Sequence, residues 1–312
     1  MKLLRFKPKN QANKYLGILF SDNQVVDVIQ AIEQIFDISV DKSITMQELI
    51  MNEELFSKVQ KISDELNQYQ KNNPTVFNQF KKKIFYSLNK VTLLPPILNP
   101  QKIICLGRNY EEHAKEGGKE PPKNPMIWGK FNSSIIGPNQ AIILPKISEK
   151  VDVEVELVVV MGKKGRYIPE DEAFDYVAGY MIGNDVSARD LQYTDKQYTR
   201  AKTIDTFTPI GPWIVTRDEI TNPQELNVEL KVNQKTWQQS NTKNMIFSVP
   251  YIISYLSKSF TFEPGDLIFT GTPSGVGHYQ KPPVYLKHGD EVSLSIDNIG
   301  TLTNPVMDER KC

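Results

Sequence analysis

The sequence predicts an α+β protein, mostly β, with a small N-terminal α/β module over residues 1–98 and a larger β-rich module over 99–312. Three observations carry that expectation. Val151-Asp-Val-Glu-Val-Glu-Leu157 alternates apolar and acidic residues with the period of a strand, then runs into Val158-Val-Val-Met161, apolar on both faces, before Gly162. Helical spacing dominates an earlier stretch, where Met46, Leu49, Ile50, Phe56, Val59, Ile62, Leu66 and Tyr69 recur mostly three or four residues apart. Between them, Val91-Thr-Leu-Leu-Pro-Pro-Ile-Leu-Asn-Pro100 reads as a proline-stiffened linker.

Composition narrows the class of partner. Lys plus Arg and Asp plus Glu both number 37 among 312 residues, so the formal net charge is zero, and no dense basic run is present. Nucleic acid and an anionic membrane surface are not expected as main partners. No apolar run approaches the ~18 residues that span a bilayer. Two cysteines, Cys105 and Cys312, do not make a disulfide framework, which points to a reducing compartment. Met1-Lys-Leu-Leu-Arg-Phe6 leads straight into strand-like sequence without a signal-peptide core. The expected setting is soluble and intracellular, mitochondrial matrix or cytoplasm, with no clear targeting peptide.

In the first module, Leu3–Phe6, Leu16–Phe20 and Val25–Val28, with Ser21-Asp-Asn23 as a turn, read as a small antiparallel unit. Thr45-Met-Gln-Glu48 fits a capping box that opens a helix or helix pair reaching Tyr69. Gln70 to Asn73, polar and followed by Pro74, reads as a loop. Nothing here has metal-ligand spacing or a phosphate loop, which leaves a structural or oligomer-forming role.

The second module carries the chemistry. Ile103–Gly107 is a short apolar strand, and Glu111 to Glu116 a short helix with acids at its start and Gly117-Gly118 at its end. His113 and Glu116, three apart, share a helix face, and a carboxylate beside an imidazole orients it and raises its basicity, as a general base requires. A plain surface pair is the other reading of that spacing. Lys119 to Pro125, rich in Pro and Lys, could form a mobile flap, and Ala141 to Leu144 is a strand. Glu154 and Glu156 leave the same side of their strand, and like charges that close repel unless a proton or cation lies between them. They read either as half of a hard-cation site, since Mg²⁺ prefers carboxylate oxygens, or as a solvated edge-strand face. A helix is expected from Pro169 to Tyr176, then a buried strand Val177–Gly183 that delivers Asp185, a third carboxylate or a helix N-cap. Strands at Leu226–Val232 and Val292–Ile296 and a helix from Val249 to Lys258, capped by Ser248, complete the module.

Taken together and in order, several short motifs resemble the fumarylacetoacetate hydrolase family. They are Gly107-Arg-Asn-Tyr with His113 and Glu116; Glu154-Val-Glu156-Leu with Val-Val-Met-Gly-Lys163; Asn184-Asp-Val-Ser-Ala-Arg-Asp-Leu-Gln192; Ala201-Lys202 followed by Pro209-Ile-Gly-Pro212; and Gly265-Asp-Leu-Ile-Phe-Thr-Gly-Thr272-Pro-Ser-Gly-Val-Gly277. They span essentially all of residues 100–306. The ending Lys281-Pro-Pro-Val-Tyr-Leu-Lys-His-Gly-Asp290 resembles a eukaryotic branch, the domain-containing-protein-2 type, to which oxaloacetate tautomerase activity is attributed.

The resemblance implies a distorted mixed β-barrel or roll and a divalent cation, Mg²⁺ with Mn²⁺ or Ca²⁺ possible, held by Glu154, Glu156 and Asp185. It implies that Lys202 polarises a substrate oxygen, that Arg189 and Gln192 position substrate or metal-bound water, and that the Gly271-Thr272-Pro273 turn receives a carboxylate. A simple tight turn and a surface lysine are the plainer readings of the last and first of these. His113 and Glu116 match a dyad on a short helix that closes over the site and moves a proton or activates water. Lys130, Ser133 and Ser134 line the same region in relatives and receive no role. The implied substrate is a small 2-oxo or 1,3-dicarbonyl acid reacting through a metal-stabilised enolate, with oxaloacetate tautomerisation favoured over acylpyruvate-type hydrolysis and oxaloacetate decarboxylation. The implied assembly is a homodimer. An inactive relative acting as a subunit or binding module would be expected to lack a carboxylate or the lysine, and none is lost here.

Overall fold

The computed structural model describes residues 1–311, which places Cys312 outside the described residues. The N-terminal module begins with strands β1 (Lys2–Pro8), β2 (Tyr15–Ser21) and β3 (Gln24–Asp27). Helix α1 (Val28–Phe36) follows at once, because Asp27 turns from strand residue to N-cap by accepting from the Gln30 N–H. The expected capping box is present at Thr45 and Glu48, where it opens α2 (Met46–Met51). The predicted helix pair then breaks at Asn52, whose side chain caps α3 (Glu53–Asn72). Pro74 marks no loop; it is the first residue of α4 (Pro74–Ile84), a position where its missing N–H costs no hydrogen bond. Strands β4 (Phe85–Ser87) and β5 (Val91–Leu94) close the module.

The second module runs through β6 (Ile103–Gly107), α5 (Glu111–Glu116), β7 (Met126–Gly129), β8 (Ile135–Ile136) and β9 (Ile142–Leu144). Next come β10 (Val151–Asp152), β11 (Val155–Met161), β12 (Val177–Asn184) and β13 (Ser187–Ala188). Helices α6 (Arg189–Asp195) and α7 (Tyr198–Lys202) precede β14 (Thr208–Thr216), β15 (Asn227–Val232) and β16 (Lys235–Asn241). The chain ends with α8 (Val249–Ser257), capped by Ser248 as expected, then β17 (Leu267–Phe269), β18 (Glu291–Ile296) and β19 (Gly300–Asp308). The helix expected from Pro169 is a single 3₁₀ turn, Ala173–Tyr176.

Two open sheets make a roll rather than a closed barrel. The large sheet has the order β4-β3-β2-β1-β14-β12-β11-β17-β6-β7, with β5 paired to β1 and β8 to β14. The second has the order β16-β15-β18-β19-β9. The N-terminal strands thus continue the sheet of the second module, joined where Leu3 of β1 pairs with Ile214 of β14.

Strand β11 is apolar on both faces because each face fills a different core. Leu157, Val159 and Met161 join the second sheet and α8, while Val158 and Val160 join the helices of the N-terminal module. Its neighbour β12 uses glycine where the sheet is tightest. A Cβ built on Gly179 would lie 2.2 Å from the Val215 carbonyl oxygen of β14, a backbone atom that cannot rotate away. Gly179→Ala is expected to destabilise the protein by at least about 1–3 kcal/mol through overpacking, read as a lower urea midpoint at unchanged slope.

Candidate active site

The predicted single strand through the two glutamates is interrupted. Residues 153 and 154 lie between β10, which pairs with β13, and β11, which pairs with β12. The backbone groups freed by the break find side-chain partners. Val153 N–H donates to its neighbour Asp152, Glu154 N–H to Asn184 Oδ1 and Val155 N–H to Gln238 Oε1. Glu154 is therefore free of strand geometry, and its carboxylate meets those of Glu156 and Asp185 with ligand atoms of all three within 4.8 Å of one another. Asp185 arrives at the end of β12 as expected, but its role is not that of an N-cap, since Ala188 precedes α6.

Cations neutralise this buried cluster almost completely. Lys202 Nζ donates to Glu154 Oε2 at 2.8 Å and Asp185 Oδ2 at 2.7 Å. Lys130 Nζ donates to Asp185 Oδ1 and the Phe207 carbonyl, both at 2.7 Å. Arg189 lies 2.7 Å from Glu154 Oε1 and 2.9 Å from Asp152 Oδ2, and it also donates to Gln192 Oε1. Four buried carboxylates (Asp152, Glu154, Glu156, Asp185) thus face three buried cations (Lys130, Arg189, Lys202).

The odd carboxylate is Glu156. Its Oε2 accepts from Gly271 N–H at 2.7 Å, but its Oε1 is buried with no hydrogen-bond partner among the described residues. Burial and the nearby Asp185 and Glu154 carboxylates push its acidity well below that of an ordinary glutamate, so its pKa is raised. Glu154 goes the other way. Burial opposes its ionisation, but Lys202, Arg189 and His113 outweigh it and hold its pKa low. Burial likewise works against the Lys202 ammonium, and Asp185 and Glu154 override it. A surplus carboxylate with an orphaned oxygen, beside two others, is the donor set a hard divalent cation requires.

His113 of the dyad and Glu154 of the cluster both line a small cavity of about 110 Å³. His113 Nδ1 sits 2.8 Å from Glu116 Oε1, and the other Glu116 oxygen accepts from Gly275 N–H at 2.9 Å. Both are partly buried, so the plain surface-pair reading fails. Asn109 fixes the approach to α5: it bonds the Phe247 N–H and carbonyl and the Thr270 carbonyl. A Cβ on Gly271 would come 2.7 Å from the Asn109 side chain, and its φ of +96° suits glycine, so the turn that feeds Glu156 requires that residue. Arg189, Gln192 and Lys202 line the cavity together with Thr272. The Thr272 hydroxyl donates to the Val155 carbonyl and accepts from Gln238, so it holds the turn against the strand. Residues 119–125 between α5 and β7 form no helix or strand.

Three residues escape the motif reading. Lys130, to which the motifs assign no role, binds Asp185 directly. Asp152 carried a legible signal, standing in the same alternation as the two glutamates. It is fully buried and accepts from Arg189, Gly277 N–H at 2.9 Å and His278 N–H at 3.0 Å. Trp128 forms a cavity wall, stacked on Tyr198 at 4.9 Å with Lys202 Nζ 4.8 Å from its ring, contacts no sequence spacing announces.

A buried acidic triad, its lysine and an imidazole–carboxylate pair gathered at one cavity define a small-molecule enzyme. The family described as fumarylacetoacetate (FAA) hydrolase, C-terminal, matches residues 102–307. The mitochondrial oxaloacetate tautomerase Fahd2a of Rattus norvegicus is 47% identical over 220 residues, 70% of each chain. Its counterpart fahd2 of Xenopus laevis is 48% identical over 223 residues, 71% of this chain and 70% of that one. Among solved structures, a fumarylacetoacetate hydrolase from Exiguobacterium antarcticum superposes with a TM-score of 0.76 at 33% identity, covering 99% of this chain and 100% of that one. A maleylpyruvate hydrolase from Sphingobium sp. SYK-6, in complex with manganese(II) and pyruvate, gives 0.75 at 27% identity, covering 99% of each. The chain belongs to the fumarylacetoacetate hydrolase family, and it is an enzyme of the isomerase or hydrolase type. No helix among the described residues is long and apolar enough to cross a membrane.

The charge balance has a measurable consequence. Lys202→Met leaves Glu154 and Asp185 short of one buried partner and is expected to lower the stability of the EDTA-treated protein by about 3–5 kcal/mol. Urea unfolding checks this, and an unchanged midpoint would show that these ion pairs are not formed in solution.

Proposed function

We propose that this protein is a divalent-metal-dependent oxaloacetate enol–keto tautomerase. The observation that carries the reading is a cavity of about 110 Å³ lined by both His113, which Glu116 holds, and Glu154, one of three clustered buried carboxylates of which Glu156 has an orphaned oxygen. That volume suits a four-carbon diacid. The names of the rat and frog relatives supply the particular substrate.

Glu154, Glu156 and Asp185 would hold the cation, Mg²⁺ with Mn²⁺ or Ca²⁺ as substitutes, which when bound acts as a Lewis acid toward the oxo and carboxylate oxygens of a 2-oxo acid. Lys202 and Arg189, already inside the cluster, supply positive charge where the substrate's oxygens become more negative. Gln192 orients a substrate carboxylate, while the Gly271–Thr272 turn, its Gly271 N–H and Thr272 hydroxyl already held by Glu156 and the Val155 carbonyl, fixes Glu156 and the cavity wall. Glu116 holds the imidazole of His113, which in its protonated form delivers a proton to C3 of the enol; the neutral imidazole then takes up the enol O–H proton, giving the ketone and restoring the dyad with no net gain or loss of protons. The reverse direction removes the C3 proton. Helix α5 excludes water while this happens.

A second reading is hydrolysis of an acylpyruvate, favoured by the maleylpyruvate hydrolase whose structure holds manganese and pyruvate. We also propose a mitochondrial location, from the relatives' names, and a homodimeric assembly.

Ultraviolet decay of enol-oxaloacetate, followed together with pyruvate release, tests the assignment. Loss of the enol band that needs Mg²⁺, stops with EDTA and releases no pyruvate is the expected result. Pyruvate appearing in step would make the protein a decarboxylase, and no acceleration would sink both. Asp185→Asn is expected to abolish Mn²⁺ binding and turnover together. His113→Asn should leave Mn²⁺ binding intact while lowering kcat by roughly 10²–10⁴-fold.

A further inference from the structure

A second cavity, much larger than the active-site one, lies elsewhere in the fold. It encloses about 730 Å³ between the N-terminal module and the turn at Glu263 and Pro264, a size typical of small-molecule sites. Its wall is drawn almost wholly from residues before 102, where the family match begins. Tyr15, Met46 and Leu98 contribute apolar surface, and Arg5, Lys14 and Lys42 contribute positive charge.

Arg5 is misplaced for a structural residue. It sits in the interior of the large sheet, between Leu16 of β2 and Leu94 of β5. By strand alternation it shares the face of Leu3, which is fully buried in the core under the N-terminal helices. Arg5 itself is only partly buried, and a half-buried guanidinium beside a core is commonly met by a carboxylate. Among the described residues Arg5 has none; its one protein acceptor is the Pro95 carbonyl, 2.8 Å from Nη1. Burial alone lowers its pKa, with no acid acting in the opposite direction.

The acids that share the cavity wall are all committed elsewhere. Asp27 accepts from the Gln30 N–H and side chain at the start of α1, and burial raises its pKa. Glu48 is held in the capping box of α2 by the Thr45 N–H and hydroxyl. Glu263 pairs with Lys164 at 2.8 Å. Neither Lys14 nor Lys42 forms an ion pair among the described residues. The wall thus carries three cationic and three acidic side chains, and Arg5, Lys14 and Lys42 form ion pairs with none of those acids, which leaves their donors open to an anion beside the apolar wall.

We propose that this cavity is a binding site for a small organic anion, a carboxylate or phosphate ester carried on an apolar body, with Arg5 gripping the anionic group. The cavity lies at the roots of β6 and β17, which run parallel to each other and end at the α5 approach and the Gly271–Thr272 turn. An occupant would thus press on the same two strands that present the active site.

Calorimetric titration of the full-length, Mg²⁺-loaded protein with 4-phenylbutyrate, phenyl phosphate and the neutral 4-phenylbutan-1-ol tests this. Saturable binding of at least one anion, much weaker binding of the alcohol, and no displacement by oxalate are expected. The better of the two anions identifies the head group. Arg5→Met keeps the aliphatic stem and should weaken anion binding by roughly tenfold or more, as loss of a charge-assisted contact does. Met51→Glu, at an exposed position on the cavity wall, provides a second variant that leaves the sheet untouched. It should weaken the anion and spare the alcohol. Absence of saturable anion binding, binding unchanged by both substitutions, or displacement by oxalate would each overturn the proposal.

Discussion

Buried charge is the constraint on which this structure turns. Asp152, Glu154, Glu156 and Asp185 are brought into the interior, and each must be neutralised there, because an isolated carboxylate in such surroundings is far too costly to keep. Three cations drawn from distant parts of the chain do this for all but Glu156: Lys130 after β7, Arg189 at the start of α6 and Lys202 at the end of α7. The short helices and irregular connections between β12 and β14 exist in a form that delivers Arg189 and Lys202 to the same few ångströms. The match is deliberately incomplete at Glu156, and that shortfall is what leaves the cluster able to take one more positive charge.

The same economy governs the backbone. A strand that simply continued from Val151 to Met161 would commit Glu154 to the alternation of its neighbours. Breaking it exposes N–H groups, and Asn184 and Gln238 supply the acceptors that a neighbouring strand would have supplied. Gly271 does the converse, bringing a main-chain donor to Glu156 through a turn that a side chain would block. The reactive groups are thus held by partners whose own positions are fixed by the sheets.

Much of this was legible in the sequence because its signals are local. The capping box at Thr45, the Ser248 cap, the His113–Glu116 spacing and the alternation through Glu154 and Glu156 all depend on residues within a few positions of one another. The three carboxylates, separated by up to about thirty residues, became a single site only through the ordered set of motifs. What was hidden depends on distant contacts. Asp27 reads as one more strand residue until its side chain is seen turning back on Gln30, and Pro74 reads as a breaker although it begins a helix. Lys130 and Trp128 gain their meaning from Asp185 and Tyr198, partners that spacing cannot identify. Asp152 is the instructive case, since its place in the acidic alternation was visible but the groups it anchors, Arg189 and the turn at Gly277, come from elsewhere in the chain.

The seam between the modules bears on how the chain is made. The Met1 ammonium donates to the Thr216 hydroxyl at 2.6 Å, across a separation of 215 residues, and Leu3 finds Ile214 in the same join. Along most of its length β1 is covered by β2 on one side and β5 on the other, both available early in synthesis. Lys2 and Leu3 must wait for β14, roughly 10–40 s later at ordinary translation speeds. An open strand edge is where a nascent chain recruits the wrong partner. Here the waiting edge is two residues long and carries a lysine, so the seam that waits for β14 is poorly placed to pair elsewhere.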